Sequence, residues 1–126
     1  MRIVGLGLDA TEVPRIAAML EQYGDRFRHR VYTDGEIAYC NAKAPRAAVA
    51  SYAARFAAKE AVLKAMGLGV GACKWREIEV AKAESGAPSV QLHGGAQTLA
   101  HDLGIRSWRL TLTHTHRVAE AIAVAL

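Results

Sequence analysis

The stretch PRAAVASYAARFAAKEAVLKAM, residues 45–66, constrains the fold more than any other part of the chain. Its residues are mostly strong helix formers. Its proline falls in the first turn, where a missing N–H costs nothing, and Gly67 follows where a helix would stop. One helix of about 22 residues is therefore expected, with the fold organised around it. With 126 residues, 52% of them hydrophobic, the chain can close one core without disulfide or metal staples, so a single domain spanning 1–126 is predicted. Aromatic residues are only 6% and alanine is abundant, which implies a core of small aliphatic side chains.

Ahead of the long helix, Ile3, Val4, Leu6 and Leu8 alternate with glycines at strand length, and Asp9 stands where that strand would end. From Thr11 the spacing of Val13, Ile16, Ala17 and Leu20 predicts a helix, with Pro14 in its first turn and Gly24 as its stop. The segment DRFRHRVY, residues 25–32, mixes cationic residues with Phe27 and Val31 and has no readable period. Thr33 followed by Glu36 predicts a capping box that opens a helix reaching about Asn41.

Beyond the long helix, GLGVGAC is a glycine-rich loop, WREIEVAKAE alternates as a strand, ESGAPS turns and residues 90–92 return. A short helix is expected over 94–102, ending by Gly104. Residues 106–113 alternate through Trp108, Leu110 and Leu112. Residues 118–126 suit a buried strand, although AEAIAVA would also suit a helix. The class is α+β: a small, mostly antiparallel sheet packed against one long helix and shorter helices.

Sixteen Lys and Arg against twelve Asp and Glu give a formal charge of +4. That excess favours anionic partners without choosing among a nucleic acid, a phosphate-bearing cofactor and an acidic protein, and it is too modest for dedicated DNA coating. Cys40 and Cys73 are isolated and form no CxxC pair, as expected in a reducing, cytoplasmic setting. Asp9 and Glu12 interrupt the apolar start long before the roughly 20 apolar residues of a membrane span, so a soluble, unprocessed protein with no membrane association is expected. No serine sits in a GxSxG elbow, which disfavours a serine hydrolase.

The first anomaly with chemical content is Glu60. At about 100° per residue, Val49, Tyr52, Phe56 and Leu63 form one apolar stripe of the long helix, and Glu60 lies within roughly 40° of its centre. Two explanations remain open: a surface pair with Lys64 or Lys59, or a metal ligand. The second needs another carboxylate, and Asp9 at the end of a core strand supplies it, because a hard cation such as Mg²⁺ takes carboxylate, phosphate and water oxygens. Lys64, one turn beyond Glu60, could grip a phosphate beside the metal. Glycine-rich turns let backbone N–H groups approach phosphates, but the GLGVG loop follows a helix C-terminus, where the dipole disfavours anions, so taken alone it reads first as a plain helix-ending loop. His114 and Thr115 end a strand with His116 and Arg117 adjacent, and no cysteine or HExxH context makes them a zinc site.

Three blocks together, GLGLDATEVPRI at 5–16, RFAAKEAVLKAMGLG at 55–69 and LTLTHTHRVAEAIAV at 110–124, resemble the holo-[acyl-carrier-protein] synthase family of 4'-phosphopantetheinyl transferases. The resemblance covers nearly the whole chain, and the middle block is its most specific part. It implies that fold and an enzyme that moves phosphopantetheine from coenzyme A to a serine of an apo acyl carrier protein in fatty acid or polyketide biosynthesis, releasing adenosine 3',5'-bisphosphate. By position it implies Mg²⁺ ligands at Asp9 and Glu60 and catalytic roles for Asp9, Glu60 and Lys64. It also implies coenzyme contacts at Arg55, Lys64, Gly67, Gly69, Pro88, His114 and Thr115. A homotrimer with coenzyme A bound between subunits follows from the same likeness. Ala10, Leu68 and Ala87 depart from the family pattern, the last replacing a usual lysine beside Pro88.

Acidic carrier proteins would dock on Arg15, Arg26 and Arg28, residues that could equally belong to a solvated basic face. Two rival readings stand beside the enzyme. A nucleic-acid-binding module would depend on the basic segment around Arg26 and Arg28 and not on Asp9. A catalytically silent trimeric domain would tolerate loss of Asp9. The enzyme reading expects no nucleic-acid partner.

Overall fold

A computed structural model describes residues 2–126. Eight-residue strand β1 (Gly5–Glu12) leads into helices α1 (Val13–Tyr23), α2 (Asp25–Val31), α3 (Asp34–Asn41) and the long α4 (Pro45–Ala65). A 3-10 turn (Trp75–Glu77) precedes the hairpin β2 (Ile78–Lys82) and β3 (Pro88–Leu92). Helix α5 (Gly94–Asp102) and strands β4 (Trp108–His114) and β5 (Val118–Ala125) close the chain. The strands form an antiparallel sheet in the order β1-β5-β4 and a separate antiparallel β2-β3 pair, with β3 packed beside β4. This is the α+β arrangement expected from the sequence. Among the described residues no helix is long and apolar enough to cross a membrane.

Small side chains let α4 lie almost directly on the sheet. Ala57, Ala58, Ala61 and Ala65 of the helix and Ala119, Ala121, Ala123 and Ala125 of β5 are all buried. On β1 the contact is tighter still: a Cβ at Gly5 would collide with the carbonyl oxygen of Ala65, and one at Gly7 with that of Ala61. Side chains alternate faces along a strand, so Gly5, Gly7, Asp9 and Thr11 all point toward α4, while Leu6, Leu8 and Ala10 point away. Asp9 is thus the first residue on this face with a functional group, placed directly after two positions that only glycine can fill.

The other side of α4 is held by a buried ion pair. Lys59, fully buried, donates from Nζ to Glu36 Oε1 at 2.7 Å, to the Trp75 carbonyl at 3.1 Å and to the Ile78 carbonyl. Glu36 completes the predicted capping box with Thr33 and accepts from the Val80 amide at 2.9 Å. One side chain therefore caps α3, anchors β2 and neutralises Lys59.

Several sequence expectations needed correction. β1 does not end at Asp9 but continues to Glu12, because its outer half pairs with β5 down to Glu12 opposite Val118. The unreadable segment is α2, whose buried Phe27 and Val31 lie one helical turn apart on a helix too short to show a period. The region 75–77 is a 3-10 turn, not strand. β5, by contrast, is the strand expected over 118–126 and not the alternative helix, since its alanines alternate inward and it pairs on both edges.

Candidate active site

Asp9, Glu60 and Lys64 come together where β1 crosses the C-terminal half of α4. The ammonium of Lys64 donates to Asp9 Oδ1 at 3.0 Å and to the Leu8 carbonyl at 3.0 Å, bridging strand and helix. Asp9 is buried, and its Oδ2 accepts from the Thr11 hydroxyl at 3.3 Å. Glu60 is half-buried and makes no ion pair among the described residues. Burial first, and then the like charge of Asp9, push its carboxyl above the usual range, while Arg15 and Lys64 pull the other way.

This geometry bears on the two readings of Glu60. Lys59 points to the opposite side and pairs with Glu36, and Lys64 bonds to Asp9, so neither lysine forms an ion pair with Glu60. What remains is a carboxylate left partly desolvated beside a second carboxylate. Lys64 and Arg15 offset part of that repulsion, and two oxygen-only donors have the chemistry that suits a hard divalent ion.

The remaining predicted residues are distributed differently. Gly67 ends α4 with φ +71°, and its amide donates to Lys64 O while that of Leu68 donates to Leu63 O, both at 2.9 Å. These two amides are engaged in closing the helix. Among the described residues the Gly69 amide makes no such backbone bond.

His114 and Thr115 lie at the far end of β4. Register places His114 opposite Ala119 and Ala119 opposite Thr11, so the histidine stands two strands away from β1, or about 10 Å. Thr115 Oγ1 accepts from the Arg117 and Val118 amides at 3.1 Å and so shapes the β4–β5 turn. Both residues line a cleft with Val13, Pro14 and Arg46. Arg55 is buried on the side of α4 facing α3, over Tyr39, and Pro88 opens β3 opposite Lys82. Within one chain, therefore, Arg55, Pro88, His114 and Thr115 are not gathered around Asp9 and Glu60.

The basic residues on α1 and α2 also separate. Arg15 lies over the Phe56 ring at 5.8 Å and favours the charged form of Glu60, which places it at the edge of the carboxylate site. Arg26 is exposed and lines a cleft of about 480 Å³ with Met19, Tyr23, Phe27 and Arg30. Arg28 is turned back, bonded to Asp25 at 3.1 Å and lying over Tyr52. Sequence reasoning missed Tyr39 and the buried Lys59–Glu36 pair, having read Glu36 only as a capping residue and Lys59 only as a surface partner of Glu60.

Comparison with known proteins places this architecture. The family model described as the 4'-phosphopantetheinyl transferase superfamily matches residues 5–119. The chain is 46% identical over 123 residues to a holo-[acyl-carrier-protein] synthase of Koribacter versatilis, with 97% of each chain covered. It is 48% identical over 114 residues to one of Solibacter usitatus, with 90% of each covered. Among solved structures, the Neisseria meningitidis holo-[acyl-carrier-protein] synthase superposes with a TM-score of 0.88 at 28% identity, covering 99% of both chains. The Helicobacter pylori synthase in complex with coenzyme A superposes at 0.83 with 26% identity, covering 96% of this chain and 99% of that one.

Proposed function

Because this chain belongs to the 4'-phosphopantetheinyl transferase superfamily, we infer that it is a holo-[acyl-carrier-protein] synthase. It transfers the 4'-phosphopantetheine of coenzyme A to a serine of apo acyl carrier protein, in fatty acid or polyketide biosynthesis. The observation that carries the reading is the meeting of Asp9, Glu60 and Lys64 at one point of the β1–α4 contact.

The reaction breaks one phosphorus–oxygen bond and makes another. The serine Oγ attacks the β-phosphorus of coenzyme A, the bridging oxygen departs with adenosine 3',5'-bisphosphate, and the serine proton passes to a base in the site. Asp9 and Glu60 are the residues that would hold Mg²⁺, which when bound neutralises pyrophosphate charge and polarises its oxygens. Lys64, whose side chain is 54% exposed, can turn from Asp9 toward the departing phosphate and stabilise its charge. The Gly69 amide, on the loop just beyond, would donate to the same group. Glu60 lies on the same face and is a base within one helical turn of Lys64.

A trimer is the second part of the proposal. The outer face of the sheet exposes Leu6 (66%), Leu8 (59%) and Ile122 (41%) side by side, an apolar surface on strands that one chain leaves uncovered. A neighbouring subunit would then be the source of the coenzyme contacts that one chain keeps away from Asp9 and Glu60. Arg26 and its cleft are the docking surface for the acidic carrier protein, with Arg15 between that surface and the carboxylates. The free thiols of Cys40 and Cys73 suit a reducing cytoplasm, where we place the enzyme.

Mass spectrometry of an apo carrier protein incubated with the enzyme, coenzyme A and Mg²⁺ tests the reading. One phosphopantetheine should be added per carrier serine, and a chelator should stop the gain. A carrier protein that keeps its starting mass contradicts it.

A further inference from the structure

Asp9 meets two donors that differ in how easily they can leave. Its Oδ1 accepts from the Lys64 ammonium at 3.0 Å, and its Oδ2 accepts from the Thr11 hydroxyl at 3.3 Å. The Lys64 side chain is 54% exposed at the end of a flexible stem, so its bond can be exchanged for one to an incoming anion. Thr11 has no such freedom. It is 2% exposed, its backbone is paired with Ala119 inside the β1–β5 ladder, and its branched side chain is stiff about χ1.

Two residues apart on one strand, Asp9 and Thr11 share the face turned toward α4, so carboxylate and hydroxyl are carried by the same rigid element. A buried hydroxyl is costly unless it is hydrogen-bonded. Among the described residues Asp9 Oδ2 is the one acceptor that the Thr11 side chain reaches. The asymmetry matters once Lys64 turns toward a phosphate. Oδ1 then loses its donor while Oδ2 keeps its own, and the carboxylate is left with one oxygen free and the other held.

A carboxylate held in this way is biased toward giving a cation one oxygen rather than two. Mg²⁺ demands a near-ideal octahedron, which single oxygens fill well, whereas Ca²⁺ accepts a carboxylate through one oxygen or both and tolerates irregular shells. On the reading of Asp9 and Glu60 as metal ligands, we propose that Thr11 is a positioning residue that holds Asp9 Oδ2, so that Asp9 offers a cation Oδ1 alone and the site favours Mg²⁺ over Ca²⁺.

Titration calorimetry of the intact protein saturated with coenzyme A, with MgCl₂ and CaCl₂ as titrants, tests this without any turnover. Thr11→Val keeps the shape of the side chain and removes the hydroxyl, while Thr11→Ser keeps the hydroxyl. Thr11→Val should bind Mg²⁺ about tenfold more weakly, a usual loss when a group that orients a metal ligand is removed. Its affinity for Ca²⁺ should change by less than about threefold, because a freed second oxygen compensates in the larger, more tolerant shell. Thr11→Ser should bind both ions as the wild type does, which assigns the effect to the hydroxyl and not to packing. A Thr11→Val protein that matches the wild type for both ions overturns the proposal. An equal loss of both ions overturns it too, since Thr11 would then steady Asp9 without limiting it to one oxygen. Asp9→Ala separates the two levels of failure. If it keeps the wild-type affinity for Mg²⁺, the metal reading falls and the role of Thr11 with it; if it loses Mg²⁺ while Thr11→Val does not, only the role of Thr11 falls.

Discussion

Replacing Lys59 by methionine removes the charge from the buried pair while nearly preserving volume, so the cavity term is small and the electrostatic one dominates. The lysine and Glu36 side chains are both 0% exposed, so solvent does not screen the change. The variant leaves the Glu36 carboxylate with only the Val80 and Thr33 amides, and it leaves the Trp75 and Ile78 carbonyls without their donor. Breaking such a pair from one side costs about 3–5 kcal/mol. At a few degrees per kcal/mol for a domain of this size, the midpoint of thermal unfolding should fall by about 10–20 °C. Urea unfolding at matched protein concentration is the assay. Lys59→Met combined with Glu36→Gln should recover about 1–3 kcal/mol, because glutamine keeps an acceptor for the Val80 amide without a stranded charge. A Lys59→Met variant within about 1 kcal/mol of the wild type would refute the claim that this pair fastens α3 and β2 to α4.

Gly7→Ala forces β1 off the Ala61 carbonyl, and Asp9 moves with it. Turnover should fall about 100-fold in a protein whose circular dichroism still shows the native helix content; full activity would mean the contact does not position Asp9. Carrier-protein modification should slow as ionic strength rises, and Arg26→Ala should flatten that dependence, which stopped-flow rates at several salt concentrations will show. Leu8→Lys places a charge on the exposed sheet face, so light scattering should report smaller assemblies than for the wild type. An unchanged mass would move the subunit interface elsewhere.

How far the sequence could be read depended on how local each cause was. The long helix, the Thr33–Glu36 capping box and α5 are set by neighbouring residues, and they are found where the residues predicted. The nearness of Asp9 to Glu60 was also legible, because a carboxylate beside an apolar stripe signals a partner across the core. Other features depend on contacts that sequence spacing does not encode. The length of β1 is decided by its pairing with β5, and α2 has only seven residues. Lys59 looks like any helix-surface lysine until β2 and α3 close over it. Arg55 and Tyr39 sit sixteen positions apart, and nothing local brings them together. The dispersal of Arg55, Pro88, His114 and Thr115 follows from the three-dimensional arrangement of α4, the hairpin and β4.

The convergence of Asp9 and Glu60 on one divalent cation is the claim from which the rest of the mechanism follows. A crystal structure grown with coenzyme A and with Mn²⁺ in place of Mg²⁺ tests it through the anomalous signal of the metal. The account predicts a single peak with an oxygen of Asp9, an oxygen of Glu60 and a pyrophosphate oxygen each about 2.1 Å away. A peak that touches only one of these carboxylates, or a coenzyme pyrophosphate bound away from both, would contradict it.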